Sequence, residues 1–447
     1  MNKILSALLS TTFLAGAAQA ADLMSVYHDA VGHDASFAAA KASLDAGRQK
    51  YPQGRAGLLP TIGVSANTTW NETKSTLLTS PSMVESADYN SHGWTASLTQ
   101  PLFRWQNWAT YKQGELAVAQ AEAQFSAARQ DLILRVAQAY FDVLLAQDAL
   151  AVSQAQKVAI SQQLESAKRN FEVGTATITD TNEAQARYDL STATVLAADN
   201  DLRVKRQTLQ TITGNEPDAL KTLKAGVLIG RPQPDDIDQW AQTAQTGNLT
   251  VAQAQAGMEI ASREVGKQRA GHLPTLDVVA TYGKTNSGFG TLVPTATGLT
   301  GVGMDTTNKT VGLQLAVPIF AGGYVVAKTD EAVALLDKAQ ADLDNARRQA
   351  ALAARQAYLG VTSGLSQVTA YEAAVVSSQA SLDSNKLGYE VGIRINIDVL
   401  NAQSQLYDTR EKLMKARLDT LMAQLKLKAA AGNLADDDLV AINGLLQ

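Results

Sequence analysis

Apolar residues recur at helical spacing along most of the chain and predict long helices. One helix carries the alternating three- and four-residue steps of a coiled-coil seam, at Val136, Ala139, Val143, Ala146 and Leu150. At ~1.5 Å per residue, the segment 106–172 would form a rod of roughly 100 Å, longer than a compact domain needs. The pattern therefore favours a coiled-coil architecture, with helices predicted over residues 22–56, 106–172, 178–213, 237–270, 322–391 and 395–431.

Four shorter segments alternate between apolar and polar residues and predict β-strands. In the first, Ile62 and Val64 share one face, whereas Gly63 and Ser65 lie on the other. Each segment has about 10 residues, enough for a tilted transmembrane strand. Aromatic residues near the strand ends suit a membrane girdle, namely Trp70, Trp94 and Tyr282. The predicted strands are residues 61–72, 93–102, 275–285 and 309–318, and the predicted loops are residues 73–92 and 286–308.

Short motifs occur twice in the same order and predict an internal repeat. The paired motifs are Arg55–Ile62 with Arg269–Leu276, Pro101–Phe103 with Pro318–Phe320, and Glu172–Gly174 with Glu390–Gly392. We interpret residues 21–213 and 237–432 as two structural repeats, with hairpin tips at about 173–178 and 391–396. Three prolines predict an irregular, equatorial linker over residues 214–236, and residues 433–447 form a C-terminal tail.

Four strands cannot close a barrel within one chain. In lipid, an open sheet would leave backbone groups at its edges unsatisfied, so strands must be shared between chains. Two copies would give an interior filled by side chains, whereas three copies could enclose water, which favours a trimer. A soluble β-sandwich face alternates in the same way and is the alternative. Prolines stand where each strand is expected to meet a helix, at Pro60, Pro101, Pro274 and Pro318.

Composition narrows the class of protein further. The 447 residues include no cysteine, which excludes disulfide scaffolds and cysteine-based zinc sites, and the net charge of −5 gives no footprint for nucleic acid. The first 20 residues predict a secretory signal, with Lys3 before the apolar run Ile4–Ala15 and small residues at Ala18 and Ala20. No later apolar run is long enough for a transmembrane helix, so any membrane crossing would be made by strands.

Catalytic and cofactor motifs are absent from the sequence. There are only four histidines, and no HExxH, GxSxG, P-loop or GxGxxG motif occurs. The glycine pairs at Gly288–Gly290 and Gly301–Gly303 lie in a Thr/Gly-rich segment and favour a surface loop over a phosphate site. We therefore expect no enzymatic activity, no cofactor and no metal site, and an exported hydrolase is the weakest of the hypotheses.

The ordered motifs resemble the TolC family of outer-membrane channel proteins over essentially the whole mature chain. The resemblance is carried by the helix-strand-strand-helix plan, the tips Tyr389–Arg394 and Glu172–Gly174, and the strand openings Leu59–Thr61 and Leu273–Thr275. It implies a mainly α-helical fold with a membrane β part: a homotrimer with a 12-stranded barrel on a long periplasmic α-barrel. It also implies an exit duct in the outer membrane of a Gram-negative bacterium, serving drug efflux or type I protein secretion.

The implied partners are outer-membrane lipid, a periplasmic adaptor and an inner-membrane transporter of the RND, MFS or ABC class. The hairpin tips would dock the adaptor through Val173, Gly174, Thr175, Val391, Gly392 and Ile393. An exported coiled-coil scaffold or a trimeric adhesin with soluble strands is the alternative.

The resemblance further implies a periplasmic gate at the tips. By motif position, Asp180, Tyr389 and Arg394 match gate residues, and Asp398 matches the outer of two acidic positions at the narrow pore. Asn401 stands where the inner acid would be, so the expectation of a strong divalent-cation block of the closed pore does not carry over.

Helix termination alone could explain several residues of this gate set. Gly174 and Gly392 would end helices in the left-handed conformation, and Thr177 or Asn396 would cap the returning helix. The two aspartates would also suit a positive helix N-terminus.

Overall fold

The computed structural model describes residues 20–77, 80–215, 219–224, 226–295 and 298–447. The predicted signal segment, apart from Ala20, lies outside these ranges. The described chain forms ten α-helices and four strands: α1 Leu23–His33, α2 Ala35–Arg48, α3 Lys50–Ala56, β1 Thr61–Leu77, β2 Ser80–Phe103, α4 Trp105–Glu172, α5 Ile178–Thr213, α6 Ile237–Gly247, α7 Leu249–Arg269, β3 Thr275–Thr295, β4 Gly298–Ala316, α8 Tyr324–Glu390, α9 Asn396–Ala430 and α10 Asp436–Asn443. None of the described helices is long and apolar enough to cross a membrane.

The long helices match the sequence prediction closely, but two predicted helices are divided. Asp34 separates α1 from α2, and its carboxylate accepts a hydrogen bond from the Phe37 amide at 2.7 Å. Asn248 separates α6 from α7 and accepts from the Thr250 amide at 2.9 Å. The single helices predicted over 22–56 and 237–270 are therefore wrong, because the side chains of Asp34 and Asn248 capture backbone amides and start new helices. A further break at Gln49, between α2 and α3, has no side-chain cap.

The chain folds into two compact units, and each is built from both halves of the sequence. The first contains residues up to Ala42 together with Gln124–Ala252 and Asn345–Gln447. The second contains Ser43–Ala123 and Gln253–Asp344. The predicted repeats of the sequence therefore do not coincide with the units of packing.

The core of the first unit surrounds the middle of α4. Four of the five predicted seam residues, Val136 to Ala146, are buried, and Leu150 is partly buried. The helix also buries residues outside the seam, notably Tyr140, Phe141 and Leu144. They pack with side chains of α1, α5, α9 and α10: Leu23, Tyr27, Leu209, Leu421, Leu425 and Leu439. This part of α4 is thus buried on several sides, and the predicted coiled-coil seam accounts for only part of its buried surface.

The linker and the tail complete this core. The described part of the linker has no helix or extended strand, but Leu223 pairs with Leu446 in an antiparallel bridge. The Tyr140 hydroxyl donates a hydrogen bond to the carbonyl of Lys221 at 2.8 Å. The tail contains helix α10, which the sequence analysis did not predict, and Leu439 on this helix is fully buried. Its three opening aspartates favour a helix N-terminus.

A buried ion pair fixes the break between α1 and α2 against α4. Both terminal nitrogens of Arg135 bind Asp34, at 2.7 and 3.1 Å, and Arg135 Nε binds Asp131 at 2.7 Å. The Arg135 guanidinium lowers the pKa of Asp34, whose side chain is only 7% exposed. Removing Arg135 would leave that carboxylate buried without its cation, so a neutral residue at this position would disturb the structure.

The second unit contains the sheet, in which β1, β2, β3 and β4 follow one another and pair antiparallel. Paired residues share a face, and one row across all four strands is Ile62, Leu98, Ala280 and Val311. This face is apolar and exposed, with exposed fractions of 73% at Ile62 and 81% at Val311. Among the described residues, β1 and β4 each pair with a strand on one side only.

The strands continue into segments predicted as loops. Strands β1 and β2 pair as far as Leu77 and Ser80, and β3 and β4 pair as far as Thr295 and Gly298. Side chains support this pairing across strands, as in Asn71 with Ser91 at 2.8 Å and Asn286 with Asp305 at 2.7 Å. The loop predictions over 73–92 and 286–308 are therefore wrong for the described residues, because these segments lack the regular alternation of a strand although their backbones pair, with irregularities between Thr76 and Leu77 and between Ser287 and Thr291. The turns at 78–79 and 296–297 lie outside the described residues.

Candidate functional site at the hairpin tips

Two helical hairpins end in turns of the same design. Gly174 between α4 and α5 has φ 78°, and Gly392 between α8 and α9 has φ 79°, which confirms the predicted left-handed conformation. The Thr175 amide bonds the Asn170 carbonyl at 2.8 Å, and the Ile393 amide bonds the Gly388 carbonyl at 2.9 Å. These bonds are typical of a Schellman motif, which satisfies the last carbonyls of a helix and lets the chain reverse.

The helix that leaves the first tip has a complete cap. The Thr177 hydroxyl accepts from the Asp180 amide at 3.2 Å, and the Asp180 carboxylate accepts from the Thr177 amide at 3.0 Å and from its hydroxyl at 2.8 Å. This arrangement is a capping box. Within one chain, Asp180 therefore stabilises the start of α5.

The second returning helix starts differently. Ile395 occupies the N-cap position of α9 without a side-chain cap. The predicted cap at Asn396 is wrong, because this residue is already helical and its side chain is buried against Gln163 of α4. The polar contact of Asn396 thus connects the two hairpins.

The predicted gate residues of the second hairpin have separate partners. The Tyr389 hydroxyl accepts a hydrogen bond from the Asn170 side chain of α4 at 3.1 Å. Arg394 forms an ion pair with Asp398 one turn away, at 3.5 Å, and its side chain is 59% exposed. Tyr389 therefore connects the two hairpins within the chain, whereas Arg394 remains with its own hairpin. No hydrogen bond or ion pair joins Asp180 to either residue among those that the structure describes.

Two polar residues at the tips were missed by the sequence analysis. Asn170 is the partner of Tyr389, and Arg187 on α5 donates a hydrogen bond to the side-chain oxygen of Asn401 on α9 at 3.1 Å. Both contacts join segments more than two hundred positions apart in sequence. The only signal in the sequence was Asn401, an amide at a position where the resemblance implies an acid.

Apolar side chains project from both tips. Val173 is 73% exposed and Ile393 is 78% exposed, and Val391 and Ile395 are exposed as well. Gly174, Thr175 and Gly392 are also exposed. Exposed apolar residues grouped at a turn can bind a partner protein, and the polar contacts behind them can set the position of each hairpin.

The predicted junction prolines lie near the strand ends, with one exception. Pro60 and Pro274 directly precede β1 and β3, and Pro318 follows the end of β4. Pro101 lies inside β2, at an irregularity in its pairing with β3. Just beyond it, Arg104 binds Asp277 of β3 through two bonds of 2.8 and 2.6 Å, a contact that the sequence analysis missed.

Sequence comparisons identify relatives along both halves of the chain. The family model for outer membrane efflux proteins matches residues 26–215 and 240–433. The chain is 33% identical to the outer membrane protein TolC of Escherichia coli strain K12, a match that covers the whole chain and 90% of that protein. It is also 33% identical to the alkaline protease secretion protein AprF of Pseudomonas aeruginosa, over 94% of this chain and 87% of AprF.

A solved structure supports the same fold. The Campylobacter jejuni CmeC outer membrane channel superimposes with a TM-score of 0.79 at 17% sequence identity, over 95% of this chain and 89% of CmeC. The family model spans most of the described chain, and the relatives match it nearly end to end. The chain therefore belongs to the outer membrane efflux protein family.

Proposed function

We propose that three copies of this chain form a duct through the outer membrane, closed at its periplasmic end by the hairpin tips. The observation that carries this proposal is the four-stranded sheet, which has one exposed apolar face and a free side on β1 and on β4 among the described strands. Such a sheet is stable in lipid only when further strands satisfy its edges. Three copies would supply 12 strands, enough to enclose a water-filled passage.

The chain is an outer-membrane protein of a Gram-negative bacterium that acts as an exit duct for efflux and type I secretion. The matching family is described as outer membrane efflux proteins, and AprF is named as an alkaline protease secretion protein. These descriptions favour a channel over an exported hydrolase. In the proposed assembly, the apolar face meets lipid and residues 21–213 and 237–432 act as two structural repeats. The long helices extend into the periplasm.

Aromatic and basic residues mark one boundary of the apolar face. The rings of Trp94 and Tyr282 meet nearly edge to face, with centroids 5.4 Å apart. The Lys309 ammonium lies 5.3 Å from the Tyr282 ring centroid. Such residues are enriched where a membrane meets water, so this row supports a lipid boundary at that level of the sheet.

The proposed partners follow from the exposed tips. A periplasmic adaptor would dock on Val173, Gly174, Thr175, Val391, Gly392 and Ile393, and it would connect the duct to an inner-membrane RND, MFS or ABC transporter. Adaptor binding that favours separated hairpins would open the end of the duct, because a ligand shifts an equilibrium by its preference for one state. The polar contacts of Tyr389, Arg394 and Asp398, with Asp180 and Asn401, would hold the closed state.

Planar lipid bilayers test the duct directly. The detergent-purified chain is expected to produce discrete single-channel current steps, whereas the same preparation unfolded by heat is expected to produce none. A folded preparation that associates with lipid but never conducts would contradict the proposal and favour the scaffold or adhesin alternative.

Epitope insertion tests the orientation. A tag placed after Ser80 or Gly298, next to the two strand turns, should be bound by antibody on intact cells, because these turns are expected to face the exterior. Added residues in a surface turn cost little closure entropy. A tag after the exposed Gly226 of the linker is the control, and it should be reached only after the outer membrane is ruptured. The reverse result would show that the orientation is wrong.

A further inference from the structure

A polar contact between the two hairpins involves Asn401, the position where the TolC-family resemblance would place an acidic residue. Arg187 lies on α5, the returning helix of the first hairpin, and Asn401 lies on α9, the returning helix of the second. The guanidinium donates to the amide oxygen at 3.1 Å. Asn401 is exposed and Arg187 is partly buried, so the contact lies at the surface of the hairpins.

The contact between Arg187 and Asn401 differs in charge from the neighbouring ion pair between Arg394 and Asp398. Asp398 lies one turn before Asn401 on the same side of α9, and it is paired with Arg394 at 3.5 Å. Asn401 carries no charge to offset Arg187. Among the described residues, no carboxylate lies within 4.0 Å of the Arg187 guanidinium. The Arg187 guanidinium is therefore bound to a neutral amide and not to a carboxylate.

We propose that Arg187 is a selectivity-determining residue of the closed duct, held by Asn401 so that its positive charge opposes the negative charge of Asp398. The inference rests on the proposed function, because it requires three copies of the tips to surround a passage. In that arrangement each copy would contribute one guanidinium. Charges at a narrow constriction act on ions with little screening, so this ring would weaken binding of divalent cations and admit anions.

The pairing also predicts how the two positions depend on each other. An aspartate at position 401 would form a charge-assisted bond with Arg187, and most of its negative charge would be offset. In a chain without Arg187, the same aspartate would stand unpaired one turn from Asp398. The effect of the new acid on selectivity should therefore be small with Arg187 present and large without it.

Reversal potentials in planar bilayers under a potassium chloride gradient test the inference, together with the concentration of magnesium chloride that halves the current. Arg187→Gln should shift the reversal potential towards cation preference and lower the half-blocking magnesium concentration. Asn401→Asp alone should shift both values less than the same change made in the Arg187→Gln chain. Arg187→Lys keeps the charge and should retain the wild-type reversal potential.

The control is Arg203→Gln on the same helix, about 24 Å further along. Arg203 is paired with Asp199 at 2.8 Å and its side chain is 77% exposed. This variant should leave both measurements unchanged. An unchanged reversal potential in Arg187→Gln, or an equal effect of Asn401→Asp in both chains, would overturn the inference while leaving the duct intact. A wild-type chain that does not conduct would instead overturn the proposed function, and this inference with it.

Discussion

Replacing Tyr389 by phenylalanine together with Arg394 by alanine is expected to raise the time-averaged single-channel conductance and the leakage of large antibiotics. Tyr389 accepts a bond from Asn170 of the other hairpin, and the exposed Arg394 side chain is available to a neighbouring copy. Losing the Asn170 contact and a contact between Arg394 and a neighbouring copy, at ~1 kcal/mol each, would shift the closed-to-open equilibrium about thirtyfold. The measurement is conductance in planar bilayers, with antibiotic sensitivity of cells as a second readout.

The matched control for this double variant is Arg203→Ala, an exposed arginine of α5 whose partner is Asp199 of the same helix. It should conduct like wild type, because exposed ion pairs within a helix contribute little. Arg135→Ala is not suitable, because it would leave Asp34 buried and unpaired. If the double variant assembled normally and conducted like wild type, Tyr389 and Arg394 would serve only in local structure.

Leu313→Arg is expected to prevent assembly in the outer membrane, whereas Gln314→Arg is expected to be tolerated. The two residues are neighbours on β4 and point to opposite faces, and Leu313 lies on the apolar face with 70% of its surface exposed. An arginine facing the middle of the bilayer costs about 2–4 kcal/mol per chain, and three copies would incur the cost together. The measurement is the amount of folded protein recovered from outer-membrane extracts.

This pair also separates the membrane duct from a soluble sheet. In water, an exposed leucine can become arginine with almost no loss of stability, because surface substitutions are usually within about 0.5 kcal/mol of neutral. Equal recovery of both variants would therefore show that the apolar face does not meet lipid.

The sequence predicted the helices well because their periodicity persists over many turns. Helix α5 was predicted over residues 178–213 and is found at Ile178–Thr213. The breaks at Asp34 and Asn248 were missed because a single capping residue hardly disturbs an apolar pattern. Helix α10 was missed because it is short and gains its stability from burial of Leu439 among distant helices.

Strand lengths were underestimated for a different reason. Alternation marks a strand only where its two faces meet different surroundings. Beyond Glu72 of β1 the residues are mostly polar, and beyond Thr285 of β3 glycines interrupt the alternation, although pairing resumes after an irregularity between Ser287 and Thr291. Hydrogen bonding between strands therefore continues where the hydrophobic signal ends.

The tips show the same division between local and distant information. The left-handed glycines and the Thr177 cap could be predicted because a turn is defined by adjacent residues. The partners of Tyr389 and Asn401 could not be predicted, since they depend on the register between helices that are far apart in sequence. The interactions that would join neighbouring copies stay a prediction, which the double substitution of Tyr389 and Arg394 tests.

Native mass spectrometry of the detergent-purified protein measures how many copies of the chain assemble. We expect a single assembly of three chains, because the side of β1 and of β4 without a strand neighbour must be satisfied by another copy. Samples should retain their β signal in circular dichroism, so that the mass is measured on folded protein. A monodisperse, folded monomer would show that the chain does not form the proposed trimeric duct.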